Sequence, residues 1–338
     1  MAIPRSFKRK LLFCIGLGGV VFLILALVPE RHELMAAARN FHWRYLPLAL
    51  ALALINYLIR AVRWHWYLRY LSIPLPLKES LSIFLIGLMM SVTPGKAGEL
   101  FKAYLAKLAR GIPMSRTAPV VVVERLTDLT GTLILATIGL AAVHARGWMI
   151  LLLWLMLAGG LFILTRKSWM LKLLSLAGGG AGSEPSSSSA TASQSIPGKL
   201  QRSYLSLSEL LTPACLAGGT LLSAAAWFSE CISLLVVLHG FGESIHWIEA
   251  TFIYTFATLA GAALFFLPGG IGGTEATMVA MLREISHTGA AVASLATVLT
   301  RMVTLWFAAA IGFAALFFCP LPVSEEVEAD MKKENEAL

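Results

Sequence analysis

Thr93-Pro94-Gly95-Lys96-Ala97-Gly98-Glu99 interrupts an apolar run (81–92) and opens an amphipathic one (100–108). A second stretch of the same character lies downstream: Leu267-Pro268-Gly269-Gly270-Ile271-Gly272-Gly273-Thr274-Glu275. Proline and clustered glycine break a helix and turn backbone polar groups elsewhere. Inside a membrane such breaks survive only where protein or a water-filled cavity satisfies the freed groups. Two breaks, each followed by a glutamate, therefore point to a site.

The spacing around them repeats. Arg125 lies 26 positions after Glu99, and Arg301 lies 26 positions after Glu275. Each arginine sits inside a long apolar segment, 118–143 and 290–318 respectively. The unit of apolar run, Pro-Gly break, glutamate, short helix and Arg-bearing apolar helix thus occurs twice, offset by about 176 residues. Duplicated broken segments are the best sequence pointer to a substrate site in a membrane transporter.

Composition sets the class. Apolar residues make up 57% of the 338 and charged residues 14%, where a soluble chain carries about a quarter charged. Several apolar runs approach the roughly 20 residues that cross a bilayer. The reading is an all-α polytopic membrane protein. Cys14, Cys215, Cys231 and Cys319 all fall in apolar segments without CxxC spacing, and the seven histidines form no HxxH or HExxH pattern. They read as buried small residues and scattered segment ends, so no metal or other cofactor is expected. The net charge of +8 comes without any nucleic-acid module, and no nucleic-acid partner is expected.

In order along the chain, the apolar run 11–28 follows a basic start and reads as a retained first helix, and 29–45 reads as a mixed-charge loop. The second span begins at Leu46 and reaches about Ala61. It ends in Arg60, Arg63, Trp64, Trp66, Tyr67, Arg69 and Tyr70, which read as interfacial anchors, with anionic headgroup contact as the alternative. Residues 77–110 read as a re-entrant hairpin, and 118–143 and 148–165 as spans. The Gly/Ser/Ala-rich 178–198 reads as a flexible linker and 199–211 as a short surface helix. Then come a span at 214–238, a polar turn at 241–249, a run at 250–267 into the second break, a short helix at 274–285 and a last span at 290–318. An acidic tail closes the sequence. This gives one domain over 1–320, with repeat 1 at about 46–165, repeat 2 at about 214–318, and a tail over 321–338. It holds eight hydrophobic segments: about six full transmembrane helices plus two re-entrant helical hairpins.

Of the 27 lysines and arginines, this scheme leaves only Arg31, Arg39, Arg44, Arg146 and Arg283 in outer loops. The positive-inside rule then places both termini and 96–116 in the cytoplasm, in a protein of the cytoplasmic (inner) membrane. The first hairpin enters from inside and the second from outside, so the repeats are inverted.

Glu124, Arg125 and Asp128 near the start of one span, and Arg301 within another, are expensive in lipid and usually pair or line a cavity. One reading makes them buried pairs or snorkelling groups. The other gives the arginines an anionic headgroup, because a guanidinium suits phosphate geometry, helped by the amide ends of the helices after each break. The candidate substrate-binding set is Arg125, Arg301, Glu99, Glu275, Pro94, Gly95, Gly98, Pro268, Gly269, Gly270, Glu124 and Asp128. Arg125 and Arg301 are expected to approach each other, each facing a polar cavity.

The blocks TPGKAGELFKAYL (93–105), GIPMSRTAPVVVVERLTDL (111–129), LPGGIGGTEATMVAML (267–282) and TRMVTLWFAAAIG (300–312) resemble the lysylphosphatidylglycerol synthase transmembrane-region family, also called flippase-like domain proteins. The resemblance runs from about 10 to 320. In the member that names the family, the membrane region is fused to a soluble aminoacyl-transferase domain. The present chain is expected to lack that domain, so aminoacyl transfer does not carry over. What the resemblance implies is the lipid-handling half, associated with moving lipids between leaflets. The leading expectation is a translocase for an anionic phospholipid or a polyprenyl-phosphate-linked lipid, and not an enzyme. The alternatives are a membrane enzyme acting on a lipid headgroup, or a scaffold for a lipid-modifying partner.

Overall fold

The computed structural model describes residues 16, 19–21, 23–24, 30–93, 97–140, 148–165, 196–264, 269–319 and 321–322. Expectations for most of the first helix (11–28; residues 16, 19–21 and 23–24 are helical), for Pro94, Gly95 and Pro268, for the linker 178–198 and for nearly all of the acidic tail lie outside the described residues. Among the described residues there are twelve α-helices. They are α1 (Arg31–Asn40), α2 (Leu46–Tyr70), α3 (Leu77–Leu88), α4 (Phe101–Arg110), α5 (Met114–Leu140) and α6 (Trp148–Thr165). After these come α7 (Ile196–Leu210), α8 (Pro213–Gly240), α9 (Trp247–Ala263), α10 (Gly273–Glu284), α11 (Ala290–Arg301) and α12 (Phe307–Phe318).

Three helical stretches among the described residues are long and apolar enough to cross a bilayer: Trp43–Tyr70, Pro213–Gly240 and Ala290–Phe318. The 27-residue α5 is long enough too, at about 40 Å, but carries Glu124, Arg125 and Asp128 in its middle. The outer faces of α2 (Leu48, Leu54, Leu58), α6 (Leu151, Leu155) and α12 (Phe313, Phe317) expose large apolar side chains. The charged groups lie inside instead, the arrangement expected where the solvent is lipid.

Two boundaries differ from the sequence reading. The second span does not stop near Ala61; α2 continues to Tyr70, started by a proline in its first turn. Arg60 and Arg63 do not mark an interface, because Arg63 is fully buried and Arg60 nearly so, each facing a carboxylate on another element; Arg69, at the end of α2, is exposed. And 29–45 is not only a loop, since it contains α1.

Helices α2 and α8 pack along each other at the centre. Asn56 Nδ2 donates to the Ala226 carbonyl (2.8 Å), and Ser233 Oγ donates to that of Ala49 (3.3 Å). After each central helix comes a six-residue turn (71–76, 241–246) and a shorter helix, α3 or α9. Then the breaks intervene. Helix α4 packs back on α3, and Arg110 at the end of α4 bonds to Glu79 in the first turn of α3. Helix α10 packs on α9 in the same way.

The remaining long helices cross between the two sets: α5 packs on α8 and α9, and α12 on α3. Glycine permits both approaches. A Cβ on Gly139 of α5 would stand 2.8 Å from the Phe252 Cα, and one on Gly312 of α12 2.9 Å from the Leu85 carbonyl oxygen. Both lie below the distance at which backbone atoms can sit without a shift.

Candidate functional site

A cavity lies where α2, α8, α9, α11 and both breaks converge. Helix α2 contributes Tyr57 and Arg60, one turn apart on one face. Helix α8 contributes Trp227 and Glu230, and α9 contributes Tyr254 and Thr258. The first break adds Ser91 and Glu99, the second adds Gly269, Gly270 and Thr274, and α11 adds Arg301.

The segment after Arg301, Met302–Trp306, is wound as a π-helix. Its hydrogen bonds step i→i+5 in place of the α-helical i→i+4, and the Tyr57 hydroxyl donates to its Thr304 carbonyl (2.5 Å). Thr304 and Leu305 complete the wall there.

Both Glu–Arg pairs found by spacing are ion pairs. Arg301 Nε reaches Glu275 Oε1 at 2.6 Å, and its Nη2 donates to the Gly269 carbonyl at 2.9 Å. Glu275 Oε2 in turn accepts from the Gly272 backbone N–H at 2.6 Å. The second break is therefore clamped: Gly269, Gly270 and Gly272 all take positive φ, which only glycine adopts at no cost, and one arginine grips the turn they make. At Gly272, the N-cap of α10, the backbone N–H is thus satisfied by Glu275.

In the first set, Arg125 Nη2 meets Glu99 Oε2 at 2.8 Å and Asp128 Oδ2 at 2.8 Å. Gly98 N–H donates to Thr93 Oγ1 at 3.0 Å. Arg301 lines the cavity, but Arg125 does not. It stands behind Glu99 and holds that carboxylate at the wall. The expectation that each arginine faces the cavity holds for one of the two.

Glu124 and Asp128 do not line the cavity and belong to a second network, joined to the first through Arg125. Asp128 Oδ1 accepts from Arg63 Nη1 (2.7 Å) and from Ser223 Oγ (2.7 Å). Glu124 accepts from Lys102 Nζ (2.5 Å), whose ammonium also lies 4.6 Å from the centre of a Trp64 ring. This network ties α2, α4, α5 and α8 together.

Sequence reasoning missed Tyr57, Glu230 and Tyr254, and gave Arg60 as an interfacial anchor with headgroup contact only as the alternative. Arg60 is 9% exposed. Its Nη2 lies 3.8 Å from Glu99 Oε1, too long for a hydrogen bond, and its Nε has no hydrogen-bond partner among the described residues. It is thus a buried guanidinium on the cavity wall with donors to spare. Glu230, one turn of helix after Trp227, accepts the Tyr254 hydroxyl. It is the one acidic residue of the 28-residue α8, and a single carboxylate in an apolar span is a signal the sequence did offer.

Comparison with known proteins shows similarity along nearly the whole chain. The family model "Lysylphosphatidylglycerol synthase TM region" matches residues 13–312. A UPF0104 membrane protein of Methanothermobacter thermautotrophicus is 24% identical over 323 residues, covering 91% of this chain and 92% of its own length. A UPF0104 membrane protein of Pyrococcus horikoshii is 25% identical over 324 residues, covering 90% and 95%. With this similarity and its long apolar helices, the chain is a membrane protein.

Proposed function

We propose that this chain, which belongs to the lysylphosphatidylglycerol synthase TM region family, is a lipid translocase that moves an anionic phospholipid or a polyprenyl-phosphate-linked lipid between leaflets without altering it. The observation that carries the reading is Arg60: a buried guanidinium on the cavity wall whose Nε has no hydrogen-bond partner among the described residues. A buried cationic donor is costly unless a charged acceptor completes it, and a phosphate oxygen does so with the geometry a guanidinium prefers. Arg301 faces the same space. Its fixed Nε and Nη2 hold the guanidinium in place beside the second break.

The two sets of helices are read as inverted repeats, at about 46–165 (α2–α6) and 214–318 (α8–α12), each holding one hairpin around its break. Three features support this. Each Glu–Arg pair spans 26 residues. The order of long helix, turn, short helix, break, short helix and long helix recurs. The long helix that follows each hairpin packs on the hairpin of the other set. In such transporters the site lies at the repeat interface, where this cavity lies. The orientation follows the charge asymmetry of the loops, with both termini and 96–116 cytoplasmic and 268–288 outside.

The test is retention of phosphatidylglycerol by purified protein, quantified by mass spectrometry beside thermal melting. Arg60→Gln is expected to lose bound lipid while melting near wild type. Retention unchanged in both Arg60→Gln and Arg301→Gln would remove the headgroup role.

A further inference from the structure

Helix α11 turns its polar face inward. At about 100° per residue, Ser294, Thr297, Thr300 and Arg301 fall within about 120° of one another, and all four are buried. Val292, Leu295 and Leu299 fall on the opposite side and are half-buried. The helix packs on α8, α10 and α1, and these hydroxyls lie in the seam between them.

The hydroxyls of the seam are unpartnered. The Oγ atoms of Ser294, Thr297 and Thr300 are buried without a hydrogen bond among the described residues. So are those of Ser286 and Thr288 in the turn before α11, where His287 and Gly289 are exposed. Every serine and threonine from 286 to 300 is in this state. Other buried threonines behave differently: Thr132, Thr255 and Thr304 each donate to a carbonyl one turn back in their own helix. Hydroxyls at a static helix interface do the same or bond across it. Those of α11 do neither, which costs free energy at each group unless something polar completes it.

This lining has two ends. One is the solvent-facing turn 286–289. The other is Arg301, which faces the cavity. The 12 residues of α11 rise about 18 Å, more than half of the roughly 30 Å hydrocarbon core. Directly beyond Arg301, the π-wound Met302–Trp306 supplies the local break in α-helical bonding at which a helix bends.

We propose that this seam is the second half of the headgroup's route. It is a polar path from the Arg301 end of the cavity to the turn 286–289, opened when α11 swings at its π-wound end and taken by the phosphate-bearing headgroup with its water. This rests on the translocase reading above and gives it a route. The hydroxyls suit such a cargo. Each donates to a phosphate oxygen or to water, and none carries a charge that would hold the anion in place. In this structure the seam is shut, since these oxygens are out of contact with solvent.

The experiment uses the full-length protein in a cysteine-free background, reconstituted in phosphatidylcholine vesicles with a trace of fluorescent phosphatidylglycerol. An impermeant anionic methanethiosulfonate is applied on the side from which Glu284→Cys labels. Only a thiolate reacts, and a thiol held in apolar surroundings does not ionise. Ser294→Cys and Thr297→Cys are expected to label, and Leu299→Cys, on the opposite side, is not. In parallel, Ser294→Ala, Thr297→Val and Thr300→Val are combined, which nearly keeps volume and removes the hydroxyls. That variant is expected to melt at or above wild type and to retain phosphatidylglycerol, yet to lose exchange. Should it not fold, the labelling decides by itself. Unlabelled Ser294→Cys and Thr297→Cys in a protein that exchanges lipid overturn the path and leave the translocase reading standing. Exchange at the wild-type rate by the well-folded triple variant overturns it too and leaves the hydroxyls a packing role. Labelling of Leu299→Cys as readily as Thr297→Cys also overturns the path. A wild type that exchanges no lipid overturns both readings together.

Discussion

Replacing Asp128 by Asn separates the scaffold from the site. Asp128 accepts from Arg63 at 2.7 Å and from Ser223 at 2.7 Å, and meets Arg125 at 2.8 Å. Arg63 is 0% exposed, and its Nε and Nη2 have no hydrogen-bond partner among the described residues. The carboxylate is therefore what offsets a fully desolvated guanidinium. Asparagine keeps the Ser223 hydrogen bond and removes the charge. Breaking a buried pair in this way costs about 3–5 kcal/mol. At roughly 2 °C per kcal/mol for a large domain, Asp128→Asn is expected to melt about 6–10 °C below wild type in the same detergent. Arg63→Met combined with Asp128→Asn removes both charges and should recover at least half of that loss, because the coupling between contacting residues is not additive. Lipid retention measured below the melting range should be near wild type in both variants, since neither residue lines the cavity. Differential scanning fluorimetry on purified variants reads the effect. A single mutant melting within about 2 °C of wild type, or a double mutant as unstable as the sum of the singles, would refute the reasoning.

Lys102→Met strands Glu124 and is expected to cost about 3–5 kcal/mol, largely restored by adding Glu124→Gln; a melting comparison of the three variants checks it. Gly312→Leu drives a side chain into the backbone of α3 and should destabilise by about 1–3 kcal/mol, read as a lower melting temperature with lipid specificity unchanged. For topology, Lys107 and Glu284 both have exposed side chains. In a cysteine-free background, an impermeant thiol reagent added to intact cells should label Glu284→Cys and spare Lys107→Cys. The reverse pattern would overturn the hairpin reading.

How much of this was visible in the sequence depends on the residue. The breaks and the two Glu–Arg spacings were legible because glycine, proline and isolated charge are costly within an apolar run and stand out against it. Both spacings are ion pairs in the structure. The partition between cavity and scaffold was not legible. Arg60 and Arg63 stand in the same aromatic, basic run, and nothing local distinguishes an anchor at the interface from a guanidinium facing Glu99 or Asp128 on elements tens of residues away. Arg125 and Arg301 are equivalent by spacing, yet only Arg301 reaches the cavity, because Glu99 and not Arg125 occupies the wall on its side. Glu230 was visible as a single acid in α8, but its role depends on Tyr254 across a helix interface, which periodicity does not reveal.

The central claim is that this protein moves an anionic lipid headgroup past Arg60 and Arg301. It is tested most directly by reconstituting the purified protein alone into phosphatidylcholine vesicles carrying a trace of fluorescent phosphatidylglycerol. Leaflet exchange is followed by quenching from outside, and the lipid is recovered for mass spectrometry. The expected result is exchange well above protein-free vesicles, loss of that exchange in Arg60→Gln and Arg301→Gln, and recovered lipid of unchanged mass. No exchange by well-folded wild type across several anionic and polyprenyl-phosphate lipids, or recovery of a chemically converted lipid, would contradict it.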